Sequence, residues 1–239
     1  MSFVDNNPVR YNDPSGHCAR ASYKNKIISD YECETGGKNI FYSLADGNYD
    51  GKVSQDEAEV YFVNSLQTPG NGLMATTKFG AHCTTNVCSG QHAAVDFSGS
   101  EGANTPITAA APGVVVDVDS NPAGDFGAKV VIEHDVFGYK FYSIYAHLSG
   151  TSAIEGNTIN AGDPVGLMGN TPCGNCAIHL HFEVRKATNV NLDSSGNYES
   201  LPSNGPSYWA KDYEDMRRKF VNLGPRFGYS TQYPSNWPK

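Results

Sequence analysis

Five side chains that could build a hydrolytic metal centre stand in three short motifs of this 239-residue chain. His92 and Asp96 are four residues apart, His147 lies in the run Tyr-Ala-His-Leu-Ser, and His179 and His181 flank a leucine. Three such side chains can close a zinc site, because catalytic zinc takes three protein ligands and leaves one position for water. The other two imidazoles are then available to move protons. The set therefore predicts metal-assisted hydrolysis.

The His179-Leu-His181 motif is typical of a β-strand, in which residues i and i+2 share one face. One imidazole of this pair can bind a metal while the other stands beside it, within reach of the bound water. His147 follows an aromatic run and supplies a third function at the same site if the two strands are neighbours. The motifs therefore require a scaffold that brings distant strands together.

The segments around these motifs contain β-branched and aromatic runs, such as Val114–Val118 and Lys140–Tyr145, separated by Gly, Pro and Asn turns. This spacing, without long helical patterns between the strands, predicts an α+β chain that is mainly antiparallel β. We expect a helical N-terminal region over residues 1–70, a β domain over residues 71–187, and a C-terminal extension over residues 188–239 that packs on the β domain.

An acidic loop near the start of the chain matches the EF-hand calcium loop position by position. Gly51 stands at loop position 6, where the chain must turn sharply. The expected Ca²⁺ ligands are side-chain oxygens, a backbone carbonyl at position 7 and a bidentate carboxylate at position 12, namely Asp46, Asn48, Asp50, Lys52, Ser54 and Glu57. Residues 38–45 and 55–66 can form the flanking helices. A single loop of this kind is more typical of a structural clamp than of a graded sensor.

Charge and cysteine content limit the partners and the compartment. The net charge of −8 argues against nucleic acid as a partner, and no stretch is long and apolar enough to cross a bilayer. The first residues have neither the basic start nor the apolar run of a signal peptide, so we expect none in the chain as given. Six cysteines in three sequence-local pairs favour disulfides formed in an oxidising compartment. Free thiols are one alternative, and a structural zinc held by Cys83, Cys88, Cys173 and Cys176 is another.

Together the motifs resemble the lysostaphin/LytM-type peptidases of family M23, which cut peptide bonds in bacterial cell-wall peptidoglycan. The resemblance spans roughly residues 80–187 and follows the family's order of motifs. They are His92-x-x-x-Asp96-Phe, Thr105-Pro-Ile-Thr-Ala-Ala-Ala-Pro-Gly-Val-Val, Tyr-Ala-His147-Leu-Ser, Gly162-Asp-Pro-Val-Gly, and His179-Leu-His181-Phe-Glu-Val. The resemblance implies an M23/LytM-like β core with the site in a groove, and it leaves the EF-hand-like region unexplained. Ala94 departs from the pattern, because the family usually has glycine there.

Carried over motif by motif, the resemblance makes His92, Asp96 and His181 the ligands of Zn²⁺, with water as the fourth. His179 would be the general base, and His147 would orient the water or steady the developing oxyanion. The chain contains neither His-Glu-x-x-His nor Glu-x-x-His, so the glutamate base of other zinc peptidases is not available.

These inferences predict a zinc-dependent endopeptidase that hydrolyses peptide cross-links of peptidoglycan, with the D-Ala–meso-diaminopimelate link favoured over glycine bridges. The alternative is a catalytically inactive protein that binds the wall in a calcium-dependent way or activates another hydrolase. The presence of all five functional positions favours activity. Disulfides without a signal peptide suggest secretion, or delivery to a bacterial periplasm by a dedicated machine or by lysis. An antibacterial effector is a hypothesis consistent with that route, and it would add an immunity protein and secretion machinery to the partners.

Overall fold

The structure, a computed structural model, describes residues 22–23, 26–27, 45–48, 50–85, 88–124, 126–172, 176–202, 209–231 and 233. The chain divides into two compact units, a smaller one over residues 1–65 and 136–139 and a larger one over residues 66–135 and 140–239. No helix among the described residues is long and apolar enough to span a membrane.

The smaller unit contains helix α1 (Gln55–Ser65) and the short antiparallel pair β1 (Ser22–Tyr23) and β2 (Lys26–Ile27). Helix α1 begins with a capping box, because the backbone N–H of Glu57 donates to Ser54 Oγ while the Ser54 N–H donates to Glu57 Oε2. The helix lies where the second flanking helix of the acidic loop is expected. The first expected helix, residues 38–45, falls outside the described residues except for its last residue.

The larger unit consists mainly of antiparallel strands. They are β3 (Met74–Thr77), β4 (Ala81–Thr85), β5 (Cys88–His92), β6 (Val95–Ser98), β7 (Pro106–Thr108), β8 (Gly113–Asp119), β9 (Ala128–Val136), β10 (Tyr139–Thr151), β11 (Thr158–Ile159), β12 (Pro164–Met168), β13 (Leu180–Lys186), β14 (Asn191–Leu192), β15 (Tyr198–Ser200) and β16 (Trp209–Ala210). Two short helices follow, α2 (Tyr213–Lys219) and α3 (Gly224–Phe227).

The main sheet has nine strands, and its continuous path runs β11-β8-β9-β10-β13-β6-β3. Strand β12 pairs with the far end of β10 and with β7, so the sheet branches at β10. A second sheet has the order β16-β5-β4, and β14 pairs with β15. The prediction of a mainly antiparallel β fold is confirmed.

Strand β13 lies inside the main sheet and is buried along its whole length. Its apolar face carries Phe182, whose ring contacts those of Phe97, Tyr145 and Phe227 at centroid distances of 5.2–6.5 Å. Because side chains alternate along a strand, its other face carries a row of polar residues that begins at His181. The fold thus places a polar row inside a buried sheet, and the candidate site lies at one end of it.

Candidate metal centre

Asp96 and His181 face each other across two neighbouring strands. They are directly opposite in the antiparallel register of β6 and β13, and directly opposite residues share one face of a sheet. His181 Nδ1 lies 3.2 Å from Asp96 Oδ1. Strand pairing alone therefore brings these two candidate ligands together.

His92 reaches the same point from the end of β5. The buried residues Ala93 and Ala94 connect β5 to β6, and Ala94 does not adopt a positive φ. Alanine therefore fits where the family pattern has glycine. His92 Nε2 lies 3.4 Å from Asp96 Oδ1 and 3.3 Å from His181 Nδ1.

The three donor atoms form a nearly equilateral triangle with sides of 3.2–3.4 Å. Ligands about 2.0–2.1 Å from a tetrahedral zinc are about 3.3 Å from one another, so the triangle has the size of one face of that tetrahedron. Among the described residues, His92, Asp96 and His181 are the only group of three or more His, Cys, Asp or Glu side chains gathered closely enough to hold a metal. The nitrogen and oxygen donors also suit zinc chemically.

The electrostatics of the triangle favour a cation. Burial lowers the pKa of His92 to about 4, so this imidazole is neutral at pH 7. Burial acts to raise the pKa of Asp96, but the neighbouring imidazoles of His92 and His181 more than offset it and hold the carboxyl well below its usual range. Burial likewise acts to lower the pKa of His181, yet its hydrogen bonds to Asp96 and Glu183 raise it to about 9. A metal at His181 Nδ1 would take the place of the proton that this nitrogen shares with Asp96, and the proton on Nε2 would stay with Glu183.

His147 lies at the branch of the sheet, where β10 stops pairing with β13 after Ala146 and begins pairing with β12 at Leu148. Its φ is 63°, in the left-handed region that few residues other than glycine adopt. Its backbone N–H donates to the Phe126 carbonyl, and its Nδ1 lies 3.2 Å from the same oxygen. Burial lowers the pKa of His147 to about 3, so the ring stays neutral.

His179 stands beside His147, with their ring centroids 4.9 Å apart, and the centroids of His147 and His181 are 5.5 Å apart. His179 Nδ1 lies 2.8 Å from the Ala177 carbonyl oxygen. A carbonyl only accepts, so Nδ1 carries a proton, and the tautomer with a single proton has its lone pair on Nε2. The five expected residues therefore meet at one place.

Two further residues of the site were not predicted from the sequence. Glu183 Oε2 lies 3.1 Å from His181 Nε2, and Arg185 Nε donates to Glu183 Oε1 at 2.6 Å. Both side chains are fully buried. The signal was present in the sequence, because His181, Glu183 and Arg185 alternate at strand spacing and therefore share one face.

Trp209 also borders the centre. Strand β16 pairs with β5 so that Trp209 lies opposite His92, and their ring centroids are 5.2 Å apart. The indole thus covers one of the candidate ligands from a part of the chain that the motif analysis left without a role.

The EF-hand-like loop is described except for one residue. Asp46 accepts hydrogen bonds from the backbone N–H groups of Asp50 and Gly51, and Glu57 accepts from those of Asn48 and Ser54. Gly51 has a φ of 80°, as the sharp turn requires. The carboxylates of the loop do not, however, form a close group of the kind seen at the metal centre. The calcium site, including the Lys52 carbonyl as a ligand, stays a prediction.

The oxidation state of one of the six cysteines, Cys176, is defined. Cys176 is disulfide-bonded, and no free cysteine occurs in the described part of the chain. A disulfide sulfur is not a thiolate, so Cys176 does not serve as a ligand of a structural zinc.

An antiparallel β scaffold that carries a His–Asp–His triangle and two adjacent histidines has the donor set of a catalytic metal site. Residues 90–194 match the model of peptidase family M23. The resemblance inferred from the motifs is confirmed for this part of the chain.

Similar proteins include an uncharacterized metalloprotease from Haemophilus influenzae, which is 38% identical over 92 residues, or 38% of this chain. The match covers 18% of that protein, so the chain spans less than a fifth of the length of this curated relative. The catalytic domain of the prophage-encoded M23 protein EnpA from Enterococcus faecalis is 24% identical, with a TM-score of 0.43, over 58% of this chain and 95% of that one. A zinc containing peptidase from Vibrio cholerae is 25% identical, with a TM-score of 0.42, over 50% of this chain and 36% of that one.

Proposed function

We propose that this protein is a zinc-dependent endopeptidase that hydrolyses the peptide cross-links of bacterial peptidoglycan. The observation that carries the proposal is the triangle of His92 Nε2, Asp96 Oδ1 and His181 Nδ1, with sides of 3.2–3.4 Å. The imidazoles of His147 and His179 beside the triangle support hydrolysis rather than a purely structural metal, because structural zinc sites are closed by a fourth protein ligand. The match of residues 90–194 to the model of peptidase family M23 supports peptidoglycan as the substrate.

His92, Asp96 and His181 would hold the zinc. When bound, zinc polarises the scissile carbonyl and lowers the pKa of its water to near 7. His179 accepts the proton of the attacking water at Nε2, because its Nδ1–H is directed to the Ala177 carbonyl. His179 then returns this proton to the leaving amine. His147 orients the water or steadies the developing oxyanion, and its burial keeps it neutral while it does so.

The decisive experiment combines zinc analysis with mass spectrometry of peptidoglycan digests. The purified chain should bind about one zinc and release peptides with new amino termini. His179→Ala should abolish hydrolysis while zinc stays bound, because His179 is a base and not a ligand. His82→Ala is the control, since this exposed histidine lies outside the site, and it should keep both properties. Hydrolysis that persists in His179→Ala would show that the assigned base is wrong.

The alternative function is a catalytically inactive protein that binds the wall in a calcium-dependent way or activates another hydrolase. Such a protein would sediment with peptidoglycan without releasing amines, with or without added zinc. The same digests therefore separate the two functions.

For the bond, we propose the D-Ala–meso-diaminopimelate cross-link, with glycine bridges as the alternative. Parallel digests of peptidoglycan with direct cross-links and with glycine bridges distinguish them, because the new amine belongs to diaminopimelate in one case and to glycine in the other. Products from the glycine-bridged wall alone would overturn this choice.

We also propose that the protein acts outside the reducing cytoplasm, as a secreted protein or as an antibacterial effector delivered to a bacterial periplasm. The disulfide at Cys176 supports an oxidising compartment. An effector would need secretion machinery and an immunity protein in the producing cell. Directing the chain to the periplasm of a susceptible bacterium should cause lysis, and His179→Ala should not. Growth unaffected by the active protein would contradict the effector role.

A separate proposal is that the loop over residues 46–57 binds Ca²⁺ as a structural clamp. The positive φ of Gly51 and the inward hydrogen bonds of Asp46 and Glu57 support it. Calorimetric titration of the chelator-treated protein with calcium tests it, and no heat of binding at millimolar calcium would sink it.

A further inference from the structure

We infer that Glu183 and Arg185 are positioning residues that hold the imidazole of His181 with its Nδ1 toward the metal site. This inference rests on the zinc site proposed above and goes beyond it, because neither residue is a ligand. The three side chains share one face of β13, and their exposed fractions are 1% for His181 and 0% for Glu183 and Arg185. A glutamate and an arginine buried this completely are rare unless they are paired.

The hydrogen bonds of this row have a fixed direction. Arg185 Nε can only donate, and it donates to Glu183 Oε1. Ionised Glu183 can only accept, so its Oε2, 3.1 Å from His181 Nε2, requires a proton on that nitrogen. A neutral His181 then has its lone pair on Nδ1, the atom that faces Asp96 and His92. Partners of this kind set the tautomer and orientation of histidine ligands in metal sites.

The arginine is itself held in place by aromatic rings and backbone. Its guanidinium carbon lies 5.5 Å from the ring centroids of both Phe126 and Phe220, and Nη1 donates to the Asn189 carbonyl. Phe220 forms an isolated antiparallel bridge with Arg185. It also lies beyond residues 90–194, the part that matches the family model. The C-terminal segment of this chain thus completes the shield around the ion pair.

The other side of the pair is covered by the main sheet. The register of β10 and β13 places Ile144 opposite Glu183 and Tyr142 opposite Arg185. Both residues belong to a buried apolar cluster that also contains Phe126 and Ala146. Glu183 is thereby kept from water that could replace its bond to His181.

This arrangement makes an unusual prediction for Glu183→Gln. Arg185 can only donate, so it takes the amide oxygen of the new side chain, and the amide NH₂ group then faces His181 Nε2. His181 must accept at Nε2, and its proton moves to Nδ1, the atom needed by the metal. Zinc affinity should therefore fall about 10–100-fold, although every hydrogen bond in the row can still be made.

A second substitution should partly reverse the loss. In the double variant Glu183→Gln/Arg185→Met, no arginine competes for the amide oxygen, so the amide can turn and accept from His181 Nε2–H. The double variant should bind zinc more tightly than Glu183→Gln alone. A purely structural role for the ion pair predicts the opposite order, because the double variant loses more buried contacts.

The experiment measures zinc affinity of the full chain by competition with a chelator. The control is Glu133→Gln, because Glu133 lies on β9 of the same sheet, pairs with Lys140 and accepts from Tyr142, but contacts no candidate ligand. The control should bind zinc like the wild type. Unchanged affinity in Glu183→Gln, or weaker binding by the double variant than by the single one, overturns the inference.

A measurement on the unmodified protein guards against variants that do not fold. NMR of isotope-labelled histidine in the zinc-bound chain should show a proton on His181 Nε2 and none on Nδ1, and the reverse pattern overturns the inference. Failure of the zinc proposal itself has a different signature, since the wild type would then not bind zinc at all.

Discussion

Replacing His134 by Gln probes a buried hydrogen-bonded network between β9 and the neighbouring strand β10, which carries His147. His134 is 1% exposed, its Nδ1 lies 2.7 Å from the Pro112 carbonyl oxygen, and its Nε2 lies 2.8 Å from Ser143 Oγ. The neutral ring donates from Nδ1 and accepts from the hydroxyl at Nε2. A protonated His134 ring would carry a buried positive charge, and neither of these two contacts is with a carboxylate. Burial accordingly lowers the pKa of His134 to about 4, although the Pro112 carbonyl and Glu133 act in the opposite direction.

The size of the effect follows from the difference in proton binding between the folded and unfolded chains. The pKa of a histidine in an unfolded chain is about 6.5. Below that pH the unfolded state therefore binds a proton that His134 in the folded state does not bind. The stability contributed by neutral His134 is therefore fully present above about pH 6.5 and is lost as the pH falls through about 4. At about 1.4 kcal/mol for each factor of ten, the complete loss is about 3 kcal/mol, of which about 2 kcal/mol is gone by pH 5.

Urea unfolding of the metal-free protein at pH 7.5, 6 and 5 measures this loss, because a chelator removes any contribution from zinc release. Between pH 7.5 and pH 5 the wild type should lose about 2 kcal/mol more free energy of unfolding than His134→Gln. Ser143→Ala is the matched control, since it removes one hydrogen bond of the network but keeps the titrating ring. Its free energy of unfolding should be about 1 kcal/mol lower than that of the wild type at every pH, so the two curves of free energy against pH should be parallel. Parallel curves for the wild type and His134→Gln would refute the reasoning.

Three further predictions concern the metal centre and the acidic loop. His147→Gln should lower kcat by about 10²-fold or more in the peptidoglycan digest while zinc content is unchanged, and loss of zinc would instead make His147 a ligand. Zinc titration should change the tryptophan fluorescence, because the Trp209 ring lies 5.2 Å from that of His92, and a change that survives Trp209→Phe would contradict this. Calcium should raise the melting temperature of the wild type and of Asp56→Ala, whose side chain stands at a loop position that supplies no ligand, but not that of Asp46→Ala. Equal shifts in all three proteins would place the calcium elsewhere.

The sequence predicted which residues would meet, but not how the chain brings each of them there. A spacing of four residues between His92 and Asp96 also suits one face of a helix. The structure instead uses two strands joined by Ala93 and Ala94, with Asp96 paired to His181 across the sheet. Such a pairing depends on the order of strands, which the local pattern does not contain. The motifs carried this information only through their resemblance to a family.

The polar row on β13 was open to prediction in part. The alternation of His181, Glu183 and Arg185 follows from strand periodicity, so the shared face could be read from the sequence. The sequence did not show whether that face meets solvent or the interior, because a row of charged residues usually marks an exposed face. The rings of Phe126 and Phe220 lie over Arg185 on this face, and Phe220 is 35 residues beyond Arg185 in the sequence.

His147 shows why the branch in the sheet matters to the chemistry. Ala146 lies opposite His181 in the register, so a regular pleat would place Ala146 on the metal side and His147 on the other face. The φ of 63° interrupts that alternation at the residue where β10 changes partner from β13 to β12. The ring of His147 therefore lies beside those of His179 and His181.

Left-handed backbone costs a residue with a side chain about 1–2 kcal/mol, and it persists only where the surroundings hold it. Here the Phe126 carbonyl binds both the backbone N–H of His147 and its ring, so the conformation and the ring position are fixed together. Phe126 also contacts His181 and lies against Arg185. One loop residue thus touches the proposed proton-handling histidine, the proposed ligand and the ion pair behind it. The site forms at the branch of the sheet, where β10 leaves its regular pleat and the imidazole of His147 comes to lie beside those of His179 and His181.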